Sequence, residues 1–219
     1  KIRLERGRKK LGDGHRALGD SLTAANKPER ARYHFKTPCA AERLIKIEYC
    51  ADNRPDLRSG DTAWYLVPPE REVFPLPEGD NLSRVIVGEE LAYRLGGATT
   101  AHRLDAYVRR VLGKHIAEIG RVLDWGCGCA RVLRYLATPG AKIEGADIDD
   151  FNVAWCNANL PDVPVTQIGL MPRTPYEDDR FDFLFGISVM THLREPAQDA
   201  WLKELSRIVR PGGHVAVSI

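Results

Sequence analysis

The chain has 219 residues, 43% hydrophobic and 28% charged, which is ordinary for a soluble globular protein and enough for one sizeable core plus a smaller accessory region. A formal net charge of +2 gives no global pull toward nucleic acid or a membrane surface. No apolar run approaches the roughly 20 residues that span a bilayer, and no signal peptide is visible.

In chain order, the first feature is basic: Lys1, Arg3, Arg6, Arg8, Lys9 and Lys10 stand against a single acid, Glu5. This reads as a solvated, frayed terminus, with contact to nucleic acid or anionic lipid as the alternative. Leu44 to Cys50 alternates partly, as a half-buried strand does, and Trp64 to Val67 and Ser83 to Val87 are further strand candidates. Asp52–Asp56 and Arg58–Asp61 read as turns, and Pro68, Pro69, Pro75 and Pro77 break regular structure. Residues 1–100 are thus expected to form an accessory region, partly β. Trp64 and Tyr65 are its candidates for touching a sugar or aromatic substrate.

From residue 101 the pattern turns helical. Leu104, Val108, Val111, Leu112, Ile116 and Ile119 recur at spacings of three and four, with Gly120 placed to cap the end. Strand and helix then alternate. Val122–Leu123 leads into a Gly-rich turn, Arg131–Ala137 is helical, Lys142–Ala146 a strand and Phe151–Asn159 a helix. Val163–Ile168 and Phe181–Gly186 are strands, Glu195–Val209 a helix, and His214–Ile219 the last strand. Residues 101–219 therefore read as an α/β domain: a doubly wound, mostly parallel, Rossmann-like sheet covered on both faces. The chain starts at Lys1, its only methionines are Met171 and Met190, and its last strand simply stops, so the natural protein is expected to extend beyond both ends.

The strongest local signal is Val122-Leu-Asp-Trp-Gly-Cys-Gly-Cys-Ala-Arg131. A strand ends at Asp124, the chain turns through Gly126 and Gly128, and a helix is expected near Ala130, where unpaired N–H groups would face a ligand. A dinucleotide fingerprint would need a third glycine at position 131, which is Arg131. An acid beside the glycine turn suits a positively charged amino-acid moiety, such as that of S-adenosylmethionine, better than a diphosphate. Asp147, at the end of the next strand, is spaced as a βαβ unit requires to bring a carboxylate to a ribose, and Ile148 follows where an adenine face would lie.

Four segments resemble the class I S-adenosylmethionine-dependent methyltransferases. Asp124 to Ala130 is similar to the family's first motif, Asp147 to its ribose-binding acid, Phe181 to Leu193 to its fourth strand and following loop, and Leu202 to Gly213 to the helix and Pro-Gly-Gly turn before strand five. The resemblance implies that Asp124, Gly126, Cys127, Gly128, Asp147, Ile148, Gly169, Leu170 and Ser188 hold the cofactor. It also implies a sheet that continues past its fifth strand, where this chain stops. Ala130 replaces the usual third glycine, and Gln167-Ile-Gly-Leu170 lacks the acid often found after strand three.

Methyl transfer to a small-molecule or glycan acceptor is the expected activity; alternatives are RNA or protein methylation and a non-catalytic binding or scaffold domain. A NAD-dependent oxidoreductase is opposed by Asp124 and Arg131. No residue is assigned to catalysis outright. His192 is the candidate acid or base, with anchoring of its loop as the structural alternative, and Ser188 and Thr191 line the pocket or cap the next helix. Cys127 and Cys129 lack the further ligands of a zinc site, so no metal is expected. Five cysteines without a paired framework (Cys39, Cys50, Cys127, Cys129, Cys156) indicate reduced thiols and a cytoplasmic protein. Trp125, Trp155 and Trp201 read as packing residues.

Overall fold

The computed structural model describes residues 2–6, 9–17, 32–34, 43–51, 54–58, 64–67, 74–80, 90–160 and 162–218, and the chain divides into two compact units, Lys1–Val73 and Phe74–Ile219. The first unit holds β1 (Ile2–Arg6), β2 (Lys9–Ala17), β3 (Arg32–His34), β4 (Arg43–Ala51), β5 (Arg54–Arg58) and β6 (Trp64–Val67). They form an antiparallel sheet in the order β3-β2-β1-β4-β5, with β6 also pairing β4. β4 and β6 fall on the segments expected to be strands. The basic start does not fray: β1 pairs β2 from Ile2↔Gly14 to Arg6↔Lys9 and pairs β4 on its other side. Ladders on both edges satisfy its backbone N–H and C=O groups, which lets so charged a run be a strand. The expected turn at Asp52–Asp56 becomes strand from Arg54 onward, and Pro55 is tolerated because β5 is an edge strand. The strand expected at Ser83–Val87 lies outside the described residues.

The second unit runs α1 (Glu90–Leu112), a 3-10 turn (Ile116–Glu118), β7 (Arg121–Trp125), α2 (Leu133–Leu136), β8 (Lys142–Asp147), α3 (Asp150–Asn159), β9 (Val165–Gln167), β10 (Phe181–Gly186), a second 3-10 turn (Met190–His192), α4 (Glu195–Ile208) and β11 (Val209–Val217). Its five strands are all parallel, in the order β11-β10-β7-β8-β9. This is the doubly wound, Rossmann-like sheet expected. Alternation along the strands feeds two cores. Val122, Ile143, Val165, Phe183 and Phe185 pack with Tyr93 and Val108 of α1, Leu133 of α2 and Cys156 of α3, while Leu123, Trp125, Ala146 and Leu184 pack with Trp201, Leu205 and Ile208 of α4. From β7 to β9 the chain steps one way across the sheet; β10 then returns to the other side of β7. That reversal opens a crevice at the carboxyl ends of β7 and β10, where ligands bind in sheets of this kind.

Several boundaries differ from expectation, among them β9, which is only Val165–Gln167, and the last strand, which starts at Val209 rather than His214. α1 starts at Glu90, so it runs through the boundary expected at residues 100/101. It also stops at Leu112 rather than continuing to Ile119: Gly113, at φ +72°, donates its N–H to Arg109 O at 3.0 Å, and Asp105 accepts the Ile116 N–H at 2.8 Å, turning the chain back. Gly113, not Gly120, is therefore the capping glycine. The helix expected at Arg131–Ala137 is the single turn Leu133–Leu136. Around Pro211 the ladder between β10 and β11 begins at Phe181↔Val209, shifts register near Gly212 (φ +78°) and resumes at Phe183↔His214. No described helix is long and apolar enough to cross a membrane.

Candidate functional site

β7 delivers Asp124 and Trp125 to the crevice and then folds back over β8. The N–H groups of Gly126 and Cys127 both donate to Ala146 O, at 2.7 and 3.1 Å, and the Gly128 N–H donates to Asp147 Oδ2 at 2.7 Å. Gly126, Gly128 and Ala130 lie at φ +78°, +55° and +62°. A Cβ on Gly126 would overlap the Val189 side chain. Ala130 thus stands where the turn asks for a left-handed residue, a conformation that costs an L-residue about 1–2 kcal/mol. No helix starts at Ala130: α2 begins at Leu133, and the N–H groups of Gly126, Cys127, Gly128 and Ala130 already have acceptors. The glycine turn itself therefore offers a diphosphate no free donor at Gly126, Cys127 or Gly128.

What the loop surrounds instead is a pair of buried carboxyl groups. Asp124 is 3% exposed, and burial, reinforced by Asp147 and opposed by Arg131, pushes its carboxyl up to about 8. Asp147 is buried too, and burial raises its carboxyl despite the N–H groups of Gly128 and Asp149, which reach Oδ2 and Oδ1 at 2.7 and 2.9 Å. Each Asp147 oxygen keeps a lone pair for a hydroxyl. Asp149 caps α3 by accepting from the N–H groups of Phe151 and Asn152. These groups border a cleft of about 540 Å³.

Packing behind the loop holds it in place. The Tyr93 hydroxyl of α1 donates to Cys129 O at 2.8 Å, and a Cβ on Gly97 would overlap Arg131 O, so only glycine lets the helix come this close. The thiols of Cys127 and Cys156 both meet Gly128 O, at 3.5 and 3.6 Å, and burial pushes the first well above the ordinary thiol range and the second up to about 12. Among the described residues, no group of three or more His, Cys, Asp and Glu is placed to hold a metal ion.

The opposite wall follows β9 and β10. Trp201 of α4 donates Nε1–H to Leu170 O at 2.9 Å, and its ring lies 5.0 Å from that of Trp125. Glu204, one turn on, accepts from the N–H and hydroxyl of Thr174 and pairs with Arg207, which holds its carboxyl down at about 2. Ser188, at φ +60°, donates its N–H to Ser218 Oγ at 2.6 Å. His192 borders the cleft from the 3-10 turn, exposed to solvent. Thr191 does not border it; its hydroxyl donates to Ser188 O.

Of the residues singled out in the sequence, Asp124, Gly126, Cys127, Gly128, Asp147, Ile148, Leu170 and Ser188 come together around this one cleft. Gly169 does not line it, although its neighbours Ile168 and Leu170 do, and Gln167 at the end of β9 points away to solvent. Trp125 and Trp201 pack as expected but also form cleft wall. Sequence reasoning missed Arg131 and Asn152 as lining residues. For Asn152 a signal existed, three residues after the Asp149 cap and so on the helix face turned to the strand ends.

Residues 123–217 match the family described as "Methyltransferase domain". Curated relatives include the methyltransferase GfsG of Streptomyces halstedii, 33% identical over 45% of this chain and 37% of its own length. A sterol 24-C-methyltransferase of Schizosaccharomyces pombe is 30% identical over 61% of this chain and 34% of its own length. A ubiquinone biosynthesis O-methyltransferase of Alkalilimnicola ehrlichii is 33% identical over 53% of this chain and 47% of its own length. The chain spans less than half the length of each of these relatives.

Proposed function

We propose that this chain, whose second unit carries a domain of the class I S-adenosylmethionine-dependent methyltransferase family, transfers the methyl group of S-adenosylmethionine to a small-molecule acceptor. The observation that carries the reading is the meeting of two buried carboxylates, Asp124 and Asp147, around a glycine turn whose N–H groups are already taken. Such a site rejects phosphate and favours a cation beside hydroxyls. The residues fit the cofactor. No described group bonds to Asp124, which suits an ammonium; Asp147 has acceptor capacity left for ribose hydroxyls; Ile148 and Leu170 offer apolar faces to adenine. Gly126, Cys127 and Gly128 would border its amino-acid arm, and Ser188 the transferable methyl.

When bound, the cofactor supplies a methyl group on a sulfonium, a leaving group that needs no acid. The protein's work is then alignment, for which effective molarities of about 10⁵–10⁸ M correspond to roughly 7–11 kcal/mol. Ser188, pinned through Ser218, and Val189 shape the wall along which the acceptor would approach. His192, which borders the cleft, is the residue whose imidazole would take the proton from a hydroxyl acceptor. The printed functions of the relatives, which include sterol methylation and ubiquinone biosynthesis, support a small molecule over RNA or protein. Free, buried Cys127, Cys129 and Cys156 support a cytoplasmic setting.

The test supplies S-adenosylmethionine with a panel of hydroxylated lipids, phenols, sugars, RNA and protein, and measures S-adenosylhomocysteine. Product with small-molecule acceptors is expected. Turnover on RNA or protein alone would contradict the acceptor class; saturable cofactor binding with no turnover would make this a binding domain without catalysis.

A further inference from the structure

α1 has two unlike faces. Ala101, Leu104, Val108 and Leu112 pack into the core beside the sheet. The opposite face is open to solvent and cationic. From His102 to Lys114 the chain carries Arg103, Arg109, Arg110 and Lys114 against a single acid, Asp105. Arg103, Tyr107, Arg110 and Val111 stand at intervals that place them on one stripe of the helix, and Lys114 follows just past its end. All five are exposed, Tyr107 by 52% and Val111 by 55%.

The nearby acids do not neutralise this face. Asp105 accepts the Ile116 N–H at 2.8 Å and lies 2.7 Å from His115 Nδ1, and Glu118 accepts the His115 N–H at 2.7 Å, so both close the turn after the helix. Among the described residues, Arg103, Arg109, Arg110 and Lys114 form no ion pair; the Arg110 guanidinium instead lies over the Tyr107 ring, 5.3 Å from its centre. The overall charge of +2 conceals this local excess, because acids elsewhere in the chain offset it. Attraction to the last helical carbonyls accounts for Arg109 and Arg110 in the final turn. It accounts neither for Arg103, well before that turn, nor for a tyrosine and a valine left in water among the cations.

We propose that this face of α1 docks the domain on an anionic membrane surface. Arginine and lysine heads meet lipid phosphates, while Tyr107 and Val111 sit at headgroup level, where apolar bodies leave water. A phosphodiester chain would satisfy the cations and stack on Tyr107 but leave Val111 hydrated. A segment of acids alone would match neither apolar side chain. The stripe runs lengthwise along a convex helix, which a flat surface can touch along its length. Docking here leaves the cleft open: the first half of α1 meets the loop after β7 through Gly97, whereas the stripe lies in the second half, which leads to the start of β7. Such docking does not depend on which cofactor the cleft holds.

Sedimentation of the full chain with lipid vesicles tests the assignment. Vesicles of phosphatidylcholine mixed equally with phosphatidylglycerol should carry the protein down, vesicles of phosphatidylcholine alone should not, and added salt should release it. The triple variant Arg103→Gln, Arg110→Gln, Lys114→Gln should partition about a hundredfold more weakly, at roughly fivefold for each charge. Tyr107→Ser combined with Val111→Ser should weaken binding about tenfold and leave its salt dependence in place. All five positions are exposed, so far-UV circular dichroism and melting temperature should stay as in the original. Undiminished binding of the triple variant would move the contact to the basic residues at the start of the chain and overturn the role of α1. Absence of sedimentation with the anionic vesicles would overturn it as well. Tighter binding to polyuridylate or polyglutamate than to those vesicles would reassign the face to nucleic acid or to an acidic protein.

Discussion

At the floor of the cleft, Asp124, Cys127 and Asp147 are 3%, 6% and 8% exposed, and hydrogen bonds from the loop's own backbone fix the space between them. At the rim, Ile148 and Leu170 are 54% and 62% exposed, and Ser188 and His192 face solvent. The floor is held before any ligand arrives, because burial confines Asp124 while hydrogen bonds fix Cys127 and Asp147. The rim has few such constraints, so its side chains are free to differ without disturbing the sheet. On the proposed reading, cofactor choice is a property of the fold, and acceptor choice a property of residues the fold tolerates.

The comparison can be broken most severely through α1. Gly97→Ala would drive a methyl group into Arg131 O and push the helix off the loop; a loss of about 3 kcal/mol, or a melting temperature lower by roughly 6–12 °C, is expected together with lost cofactor binding. A variant as stable as the original would mean that the helix does not set the floor. Asp147→Ala removes the acceptor of the Gly128 and Asp149 N–H groups and, in the proposed site, the ribose contact. S-adenosylmethionine affinity should fall about ten- to a hundredfold by calorimetry, with far-UV circular dichroism unchanged. Unchanged affinity would remove Asp147 from the binding set.

Smaller changes sharpen the contrast. Ala130→Gly relieves a left-handed alanine at φ +62°, partly offset by the greater chain entropy of glycine, so a gain of about 0.5 kcal/mol is expected in chemical denaturation. A loss there would show that the alanine methyl packs better than the strain costs. At the rim, His192→Gln should leave cofactor affinity within about twofold while slowing turnover on a hydroxyl acceptor. A large affinity loss would place His192 with the floor instead.

Asp124, Gly126, Gly128 and Asp147 were legible because an acid at a strand end followed by glycine is a local pattern. β10 was legible from end to end, since Phe181, Phe183, Leu184 and Phe185 form an apolar run of buried-strand length broken only by Asp182. The first half of α1 was not: Gly96, Gly97, Thr99 and Thr100 hide the helical period, yet two of these residues are small because the loop after β7 passes against them. β1 and β2 were hidden by their charge, since the hairpin they form is held by backbone pairing rather than by an apolar pattern, and β1 also pairs the distant β4. Arg131 and Trp201 resisted for a related reason: whether a side chain lines a cleft depends on what packs behind it. Gly169 does not line the cleft because β9 ends at Gln167, and the following residues present Ile168 and Leu170 to it instead.

The most direct measurement concerns Asp124. In the free chain its carboxyl, at about 8, holds its proton at neutral pH. Because this value lies above that of an unfolded aspartate, its contribution to stability is present in acid and is lost as pH rises through about 8. An ammonium placed beside it reverses the preference, so cofactor affinity should increase over the same span. Titration of S-adenosylmethionine at pH 7, in buffers of differing ionisation enthalpy, should show saturable binding with release of about one proton. The Asp124→Asn variant should bind weakly and release none, and NAD should give no saturable heat. Saturable binding of NAD, or S-adenosylmethionine binding with no proton released and no sensitivity to Asp124→Asn, would contradict the account.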